Sequence, residues 1–392
     1  LPIVSSKAPI YRILGSSTVQ LWSLDNGERL HRLMRRAGLR PAAEDDSGTS
    51  CLLIRADHVY EESVIKALIR QPRQVLITED GQPVAAHLLS GGDIASAEQM
   101  LQTAQRPTVV SLPRGLEAIS NPAGLATTYN HALRKRAKPY VLPLTSETAP
   151  AIEKRMFDGA YKGVTDFVTK YVWPFPAMML TRWCARRGIT PNAVTSISFL
   201  FMLLAMWLFW SGHFLLGLAF AWGMCFLDTV DGKLARVTLT SSKFGNAFDH
   251  GIDLIHPPFW YYAWYVGQGG GLAEGVSGTL QNAAVWIILV GYVLGRLQEG
   301  LFIWLYQIEI HTWRPIDSWF RLITARRNPN LAILTIAALL NQPVAGFIAV
   351  AIWTVLSFVF HCWRIAQAAS QKSGGHRLQS WLTEPMVEVS GT

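Results

Sequence analysis

Cysteine is scarce in this sequence. Cys51, Cys184, Cys225 and Cys362 are the only four in 392 residues, and none has metal-type spacing. No zinc site or disulfide framework is therefore expected, and the four read as free thiols in a reducing compartment. Charge is also thin. Asp, Glu, Lys and Arg make up 16% of the chain, against about 25% in an ordinary soluble domain. Acids are the scarcer sign, giving a net charge of +8. The basic residues lie beside apolar runs rather than among exposed aromatics, so an anionic lipid surface is the expected partner and nucleic acid is not. No signal-peptide pattern opens the sequence, which begins without Met, and a few trimmed residues are expected before it. Three loops, 211–213, 267–281 and 341–343, contain no Lys or Arg at all.

What is abundant is apolar. Half the residues are hydrophobic and 15 are Trp. Six runs, about 193–211, 214–233, 246–266, 282–305, 325–341 and 343–366, are candidate membrane spans. Basic residues sit on alternate sides of them: Arg182, Arg186 and Arg187 before the first, Lys233, Arg236 and Lys243 after the second, and Arg314 and Arg321 before the fifth. By the positive-inside rule both termini are expected in the cytoplasm, in an integral protein of the cytoplasmic membrane.

Between the second and third runs the chain reads Asp228-Thr-Val-Asp231-Gly232-Lys-Leu-Ala235-Arg236, then eight residues, then Gly245-Asn-Ala-Phe-Asp249-His-Gly-Ile-Asp253. On helices, Asp228 and Asp231 share a face, as do Asp249 and Asp253. Gly232 and Ala235 leave a bare strip beside the first pair. If the helices cross, four acids converge on the cytoplasmic side, a costly arrangement unless a cation neutralises it. Oxygen-only ligands suit Mg²⁺ or Mn²⁺, and two such ions about 3.5–4 Å apart clamp an in-line displacement at phosphorus.

This pattern resembles the signature of the CDP-alcohol phosphotransferase family, D-x2-D-G-x2-A-R-x8-G-x3-D-x3-D, at every fixed position. The resemblance implies that Asp228, Asp231, Asp249 and Asp253 bind two Mg²⁺ or Mn²⁺ ions and that Asp253 is the general base. It implies that Gly232, Ala235, Arg236 and Gly245 accommodate the cytidine diphosphate, with Asn192 of Thr190-Pro191-Asn192 a donor contact. The expected reaction moves a phosphoalcohol from a CDP-linked donor to an acceptor hydroxyl, lipid or polyol, and releases CMP. Six spans and a homodimer are the family's usual form.

Arg296 and Glu299, three apart in the fourth run, read as a pair or as an acceptor contact. Arg326 and Arg327 read as anchors or as a grip on an anionic acceptor or headgroup. His256, followed by Pro257-Pro258, reads as a satisfied histidine at a kink. The other function classes are a cation-relaying transporter, which would need acids through the bilayer depth, and a non-catalytic scaffold.

The first 150 residues have soluble composition, with strands expected at 18–22, 51–55, 75–78, 83–88, 108–112 and 140–142 and helices at 27–37, 61–70 and 94–104. The alternation predicts an α/β domain with a mostly parallel sheet. The stretch Leu52 to Tyr60, with Asp57-His58 past a strand, resembles the sugar-nucleotidyltransferase and inositol-phosphate cytidylyltransferase fold. Its turn Ser23 to Leu30 lacks the Gly-rich loop that cradles a triphosphate, so an inactive domain is expected, and Asp57-His58 reads as a strand-end turn. The expected organisation is 1–150 α/β domain, 151–189 amphipathic juxtamembrane helices, 190–370 six-helix membrane domain and 371–392 cytosolic tail. An inositol-type phosphodiester from a CDP-inositol donor is the first expectation, and CDP-diacylglycerol with a polar acceptor the second.

Overall fold

The computed structural model describes residues 8–383, apart from 44–45, 47–48, 90–91, 104–111, 114, 120–121, 123–128, 132, 242, 271, 273–274 and 375–376, and apart from the side chains of residues 243, 244, 246, 249, 250, 275 and 276. The chain divides into two compact units.

The first unit is α/β. Its strands are β1 (Ile10–Leu14), β2 (Gln20–Leu21), β3 (Leu24–Asp25), β4 (Arg40–Pro41), β5 (Cys51–Arg55), β6 (His58–Tyr60), β7 (Gln74–Ile77), β8 (Pro83–Leu88) and β9 (Glu117–Ile119). Six of these form one sheet in the order β4-β1-β5-β8-β7-β9. All run in one direction except β8, which is antiparallel to both neighbours. Helices α1 (Asn26–Arg36) and α2 (Glu62–Arg70) pack on one face over Leu52, Ile54 and Leu76, and α3 (Ile94–Thr103) covers the other over Cys51, Leu53 and Val75. Burial on both faces explains why β5 reads as an unbroken apolar run.

Two expectations change here. The first strand is β1, not 18–22, where only Gln20–Leu21 is extended. Trp22 and Ser23 take φ of 54° and 58° and turn β2 back onto β3 as a two-residue hairpin. The Ser23–Leu30 turn is a helix start, with Asp25 Oδ1 accepting from the Glu28 N–H at 3.1 Å. The strand expected at 108–112 falls almost entirely outside the described residues, and Val141–Pro143 pairs with β6.

The second unit is helical. Among the described residues, four helices are long and apolar enough to cross a membrane: Pro191–Trp210, Phe214–Val237, Ser277–Tyr306 and Pro343–Ser373. The expected third span is a 25-residue helix, Lys243–Gly267, whose acids and histidines lower its hydropathy. The expected fifth is Arg327–Leu339, 13 residues, which rise only about 20 Å. Trp260, Trp264, Phe209, Ile288, Leu331 and Phe347 form the common core of these helices.

Ahead of them, a five-residue π-helix, Val168–Val172, leads into helix Pro174–Arg186. Phe167, Tyr171, Phe175, Met179 and Trp183, each four residues from the last, are all exposed. Such a stripe beside Arg182 and Arg186 suits a helix lying in a lipid interface.

Candidate functional site

The acids are presented by a helix pair. Phe214–Val237 carries Asp228 and Asp231 one turn apart near its end, and Lys243–Gly267 carries Asp249 and Asp253. A cavity of about 520 Å³ opens between these helices and the starts of Pro191–Trp210 and Arg327–Leu339. Asp228, Asp231 and Asp253 line it together with Asn192, Gly232, Ala235, Arg236, Gly245, Arg296, Arg326 and Arg327. Asp249 lies on the same helix as Asp253, and its side chain is outside the described residues.

Each of the three described acids has a distinct environment. Asp231 is buried; its Oδ2 accepts a 2.5 Å hydrogen bond from Thr195 Oγ1, while its Oδ1 is buried without a hydrogen-bond partner. Asp228 Oδ2 lies 2.5 Å from Arg327 Nη2, and the other arm of the same guanidinium donates to Asp253. Arg327 thus brings a positive charge between Asp228 and Asp253. Lys233 instead stacks on the Tyr161 ring at 3.9 Å.

Among the described residues no three His, Cys, Asp or Glu side chains form a ready metal cluster. The donor chemistry still fits a hard divalent cation: the acids around the cavity offer oxygen only, and Asp231 has an unpartnered carboxylate oxygen there. Gly232 fits a ligand lying close to the backbone. A methyl group at this position would meet nothing nearer than Arg236 at 3.6 Å, so packing alone does not require glycine.

The start of helix Pro191–Trp210 is capped by Thr190, whose hydroxyl accepts from Ala193 N–H at 3.2 Å, and Asn192 is exposed on the cavity wall. Glu299, which does not line the cavity itself, gathers three groups: Arg296 at 3.2 Å, His311 at 3.2 Å and Arg326. Arg296 and Arg326 therefore reach the cavity already tethered. His256 hydrogen-bonds the Ile252 carbonyl at 2.6 Å and packs edge-on against Trp260.

Three basic residues of the cavity, Arg134, Lys162 and Arg321, were not read as site residues from the sequence. Burial lowers the Lys162 ammonium, and the neighbouring Arg134 and Arg236 lower it further. Arg321, 8% exposed, is pulled down to about 9 by burial and by Arg326. Asp166, although buried, is held low by Arg321 and by hydrogen bonds from Thr169 N–H at 3.0 Å and Asn328 Nδ2 at 2.9 Å.

Comparison with known proteins places this site in context. Residues 188–363 match the family model described as CDP-alcohol phosphatidyltransferase. The chain is 43% identical over 81 residues to archaetidylinositol phosphate synthase of Pyrococcus horikoshii, covering 20% of this chain and 43% of that protein. It is 30% identical over 166 residues to a bifunctional IPC transferase and DIPP synthase of Rubrobacter xylanophilus, covering 41% and 34%. Human ethanolaminephosphotransferase 1 is 34% identical over 73 residues, covering 19% and 18%. The chain spans less than half the length of these relatives.

Proposed function

Residues 188–363 belong to the CDP-alcohol phosphatidyltransferase family, and on that premise we propose that the chain is a membrane-embedded CDP-alcohol phosphotransferase. It transfers a phosphoalcohol from a CDP-linked donor to an acceptor hydroxyl and releases CMP. The observation that carries this is the gathering of Asp228, Asp231 and Asp253 with Gly232 and Ala235 around one cavity at the ends of apolar helices.

In this reading Asp228, Asp231, Asp249 and Asp253 hold two Mg²⁺ or Mn²⁺ ions. Bound there, the ions withdraw charge from the donor diphosphate and make CMP a better leaving group. Gly232 and Ala235 let the donor lie against the helix backbone, Arg236 and Asn192 contact it, and Gly245 leaves room on the opposite helix. Asp253 takes the proton from the acceptor oxygen as that oxygen attacks phosphorus, and the P–O bond to CMP breaks. Asp253 suits this role because it is the most open of the three described acids, 42% exposed against 15% for Asp228. Arg296 and Arg326, oriented by Glu299, face the acceptor.

The same proposal has six spans, with both termini and the acids cytosolic, and a homodimer as in the family. The lysine- and arginine-free loops at 211–213, 267–281 and 341–343 support the orientation. The mixed sheet with one reversed strand supports a nucleotidyltransferase-like first domain, and the helix-capping turn at Asp25 supports its inactivity. The relative named archaetidylinositol phosphate synthase favours an inositol-type phosphodiester as product. A transporter is disfavoured because the cavity acids cluster at one end of their helices.

The test is CMP release by detergent-solubilised full-length protein given candidate CDP-alcohols and Mg²⁺. Release that depends on Asp249 is expected. Silence with every donor, or undiminished release by Asp249→Ala, removes the enzyme reading.

A further inference from the structure

The family match ends at residue 363, but the chain beyond it folds back on the helical unit. Helix Pro343–Ser373 is capped at Gly374, and residues 378–383 then lie against the 3₁₀ turn Ile310–Thr312 and helix Pro315–Phe320. Ser380 is 2% exposed and Leu382 6%, while Leu378 packs on Phe302, Trp313 and Ala368. A helix end leaves its last carbonyls without partners inside the helix. Here three consecutive carbonyls are met from elsewhere. Ser318 Oγ donates to the His311 carbonyl at 2.8 Å, Ser380 Oγ to the Thr312 carbonyl at 2.6 Å, and Trp381 N–H to the Trp313 carbonyl at 3.1 Å. The Trp381 indole N–H donates to Ser318 Oγ at 3.0 Å, so it supports the first of these contacts as well.

The turn so held carries His311, a buried side chain. Its ring packs edge-on against His361, with centroids 5.3 Å apart, and its Nε2 lies 3.2 Å from Glu299 Oε1. A carboxylate only accepts, so Nε2 carries the proton and donates it. Glu299 in turn holds Arg296 and Arg326, which line the cavity. An unbroken series of contacts therefore runs from Ser380 and Trp381, through the backbone of 311–313, to His311, Glu299 and the cavity wall. Such a buried polar series is rigid only while every member is satisfied.

We infer that residues 378–383 are a strap that positions His311, and through it Glu299, Arg296 and Arg326, for the transfer reaction, with Ser380 and Trp381 as its positioning residues. Neither of the two lines the cavity, so both act through other groups. The inference rests on the transferase reading above. A few hydrogen bonds and two leucines hold the strap, and the core around Trp260 and Phe347 contains none of its residues. Releasing it is therefore a local opening that leaves the helix bundle folded.

The test compares full-length wild type in nanodiscs with S380A, W381F and the two combined. Mass spectrometry reads hydrogen exchange at the amides of 310–318 and at the His311 ring Cε1–H. CMP release is followed with CDP-inositol and CDP-diacylglycerol as donors and inositol and inositol 1-phosphate as acceptors. The combined variant should exchange about tenfold faster at both places, the worth of the hydrogen bonds removed. It should raise the acceptor KM about tenfold and leave the donor KM within about twofold. H311L should reproduce that rise, and adding the strap changes to H311L should raise it no further. Unchanged exchange, faster exchange with a wild-type acceptor KM, or a further rise in the H311L background would each overturn the inference. If the combined variant does not fold, S380A and W381F carry the test, each with a change of about threefold. Absence of CMP release from every donor, with His311 exchange still faster in the variants, would instead sink the transferase reading and leave the hold of the strap on His311 standing.

Discussion

The Thr195 hydroxyl, on helix Pro191–Trp210, donates a 2.5 Å hydrogen bond to Oδ2 of Asp231 on helix Phe214–Val237. It also donates to the Pro191 carbonyl within its own helix at 3.1 Å, so its single proton is shared between the two acceptors. The contact fixes one carboxylate oxygen and leaves the other, Oδ1, aimed at no protein donor. Thr195→Val keeps the shape but strips the buried carboxylate of its donor, at a cost of about 1–3 kcal/mol. Thr195→Val is expected to melt lower than wild type and to release CMP about tenfold more slowly, while Thr195→Ser retains both. Equal melting temperatures for all three would show that the bond contributes nothing.

Arg327 sets up a second expectation. Its guanidinium bridges Asp228 and Asp253, so it is the counter-charge that lets two acids on different helices stand close together. Arg327→Met leaves those carboxylates facing one another, and like charges in a partly buried site repel. Without divalent cation the variant should be less stable than wild type. Added Mg²⁺ should then raise its melting temperature by more than it raises that of wild type. An identical Mg²⁺ response in both proteins would exclude competition between arginine and cation at this pair.

Much of this site could be read from spacing. The acids are legible because helical geometry alone puts residues three or four apart on one face, and the glycine and alanine between them mark the close-approach strip. Arg134, Lys162 and Arg321 are not legible, since each looks like an ordinary basic residue beside an apolar run. Only the fold brings them to one cavity, with Gly163 packed against the backbone of Arg134 and Lys135. Likewise Ile10–Leu14 escapes notice because Tyr11 and Arg12 interrupt its apolar pattern, whereas Tyr11 is buried in the sheet core. The short helix Arg327–Leu339 reads as a full span because its apolar run continues through the following turn at Asn341.

In the first unit, Asp57 predicts a pH response. Partial burial works to raise its carboxyl, but hydrogen bonds from His58 at 2.7 Å and from Arg55 outweigh that and hold it well below the usual carboxylate range. Because the folded-state value lies below the unfolded one, the stability this group contributes is complete above about pH 4 and is lost as pH falls toward the folded value. The melting-temperature gap between wild type and Asp57→Asn should therefore be constant from neutrality to about pH 5 and close below about pH 4. A gap that widens in acid would reverse the assignment.

The last expectation concerns the ion pair that ties helix Pro315–Phe320 to helix Pro343–Ser373. Arg364 Nε and Nη2 meet the two oxygens of Asp317 at 2.6 and 2.9 Å, and both side chains are only 2% exposed. The guanidinium also lies over the Trp313 ring at 4.3 Å. Burial pushes the Asp317 carboxyl up, even though Arg364 opposes it, so desolvation rather than attraction is the larger influence on this acid. Breaking one side should thus be worse than removing both. Arg364→Met takes the guanidinium from a buried carboxylate that keeps only the Arg314 N–H, at 3.0 Å, as a donor, and should cost about 3–5 kcal/mol, whereas the Asp317→Leu, Arg364→Met double variant should recover most of that. Thermal melts of the two single variants and the double variant give the coupling directly. Additive losses would mean that the two side chains act independently, and that Trp313 packing rather than the ion pair holds these helices together.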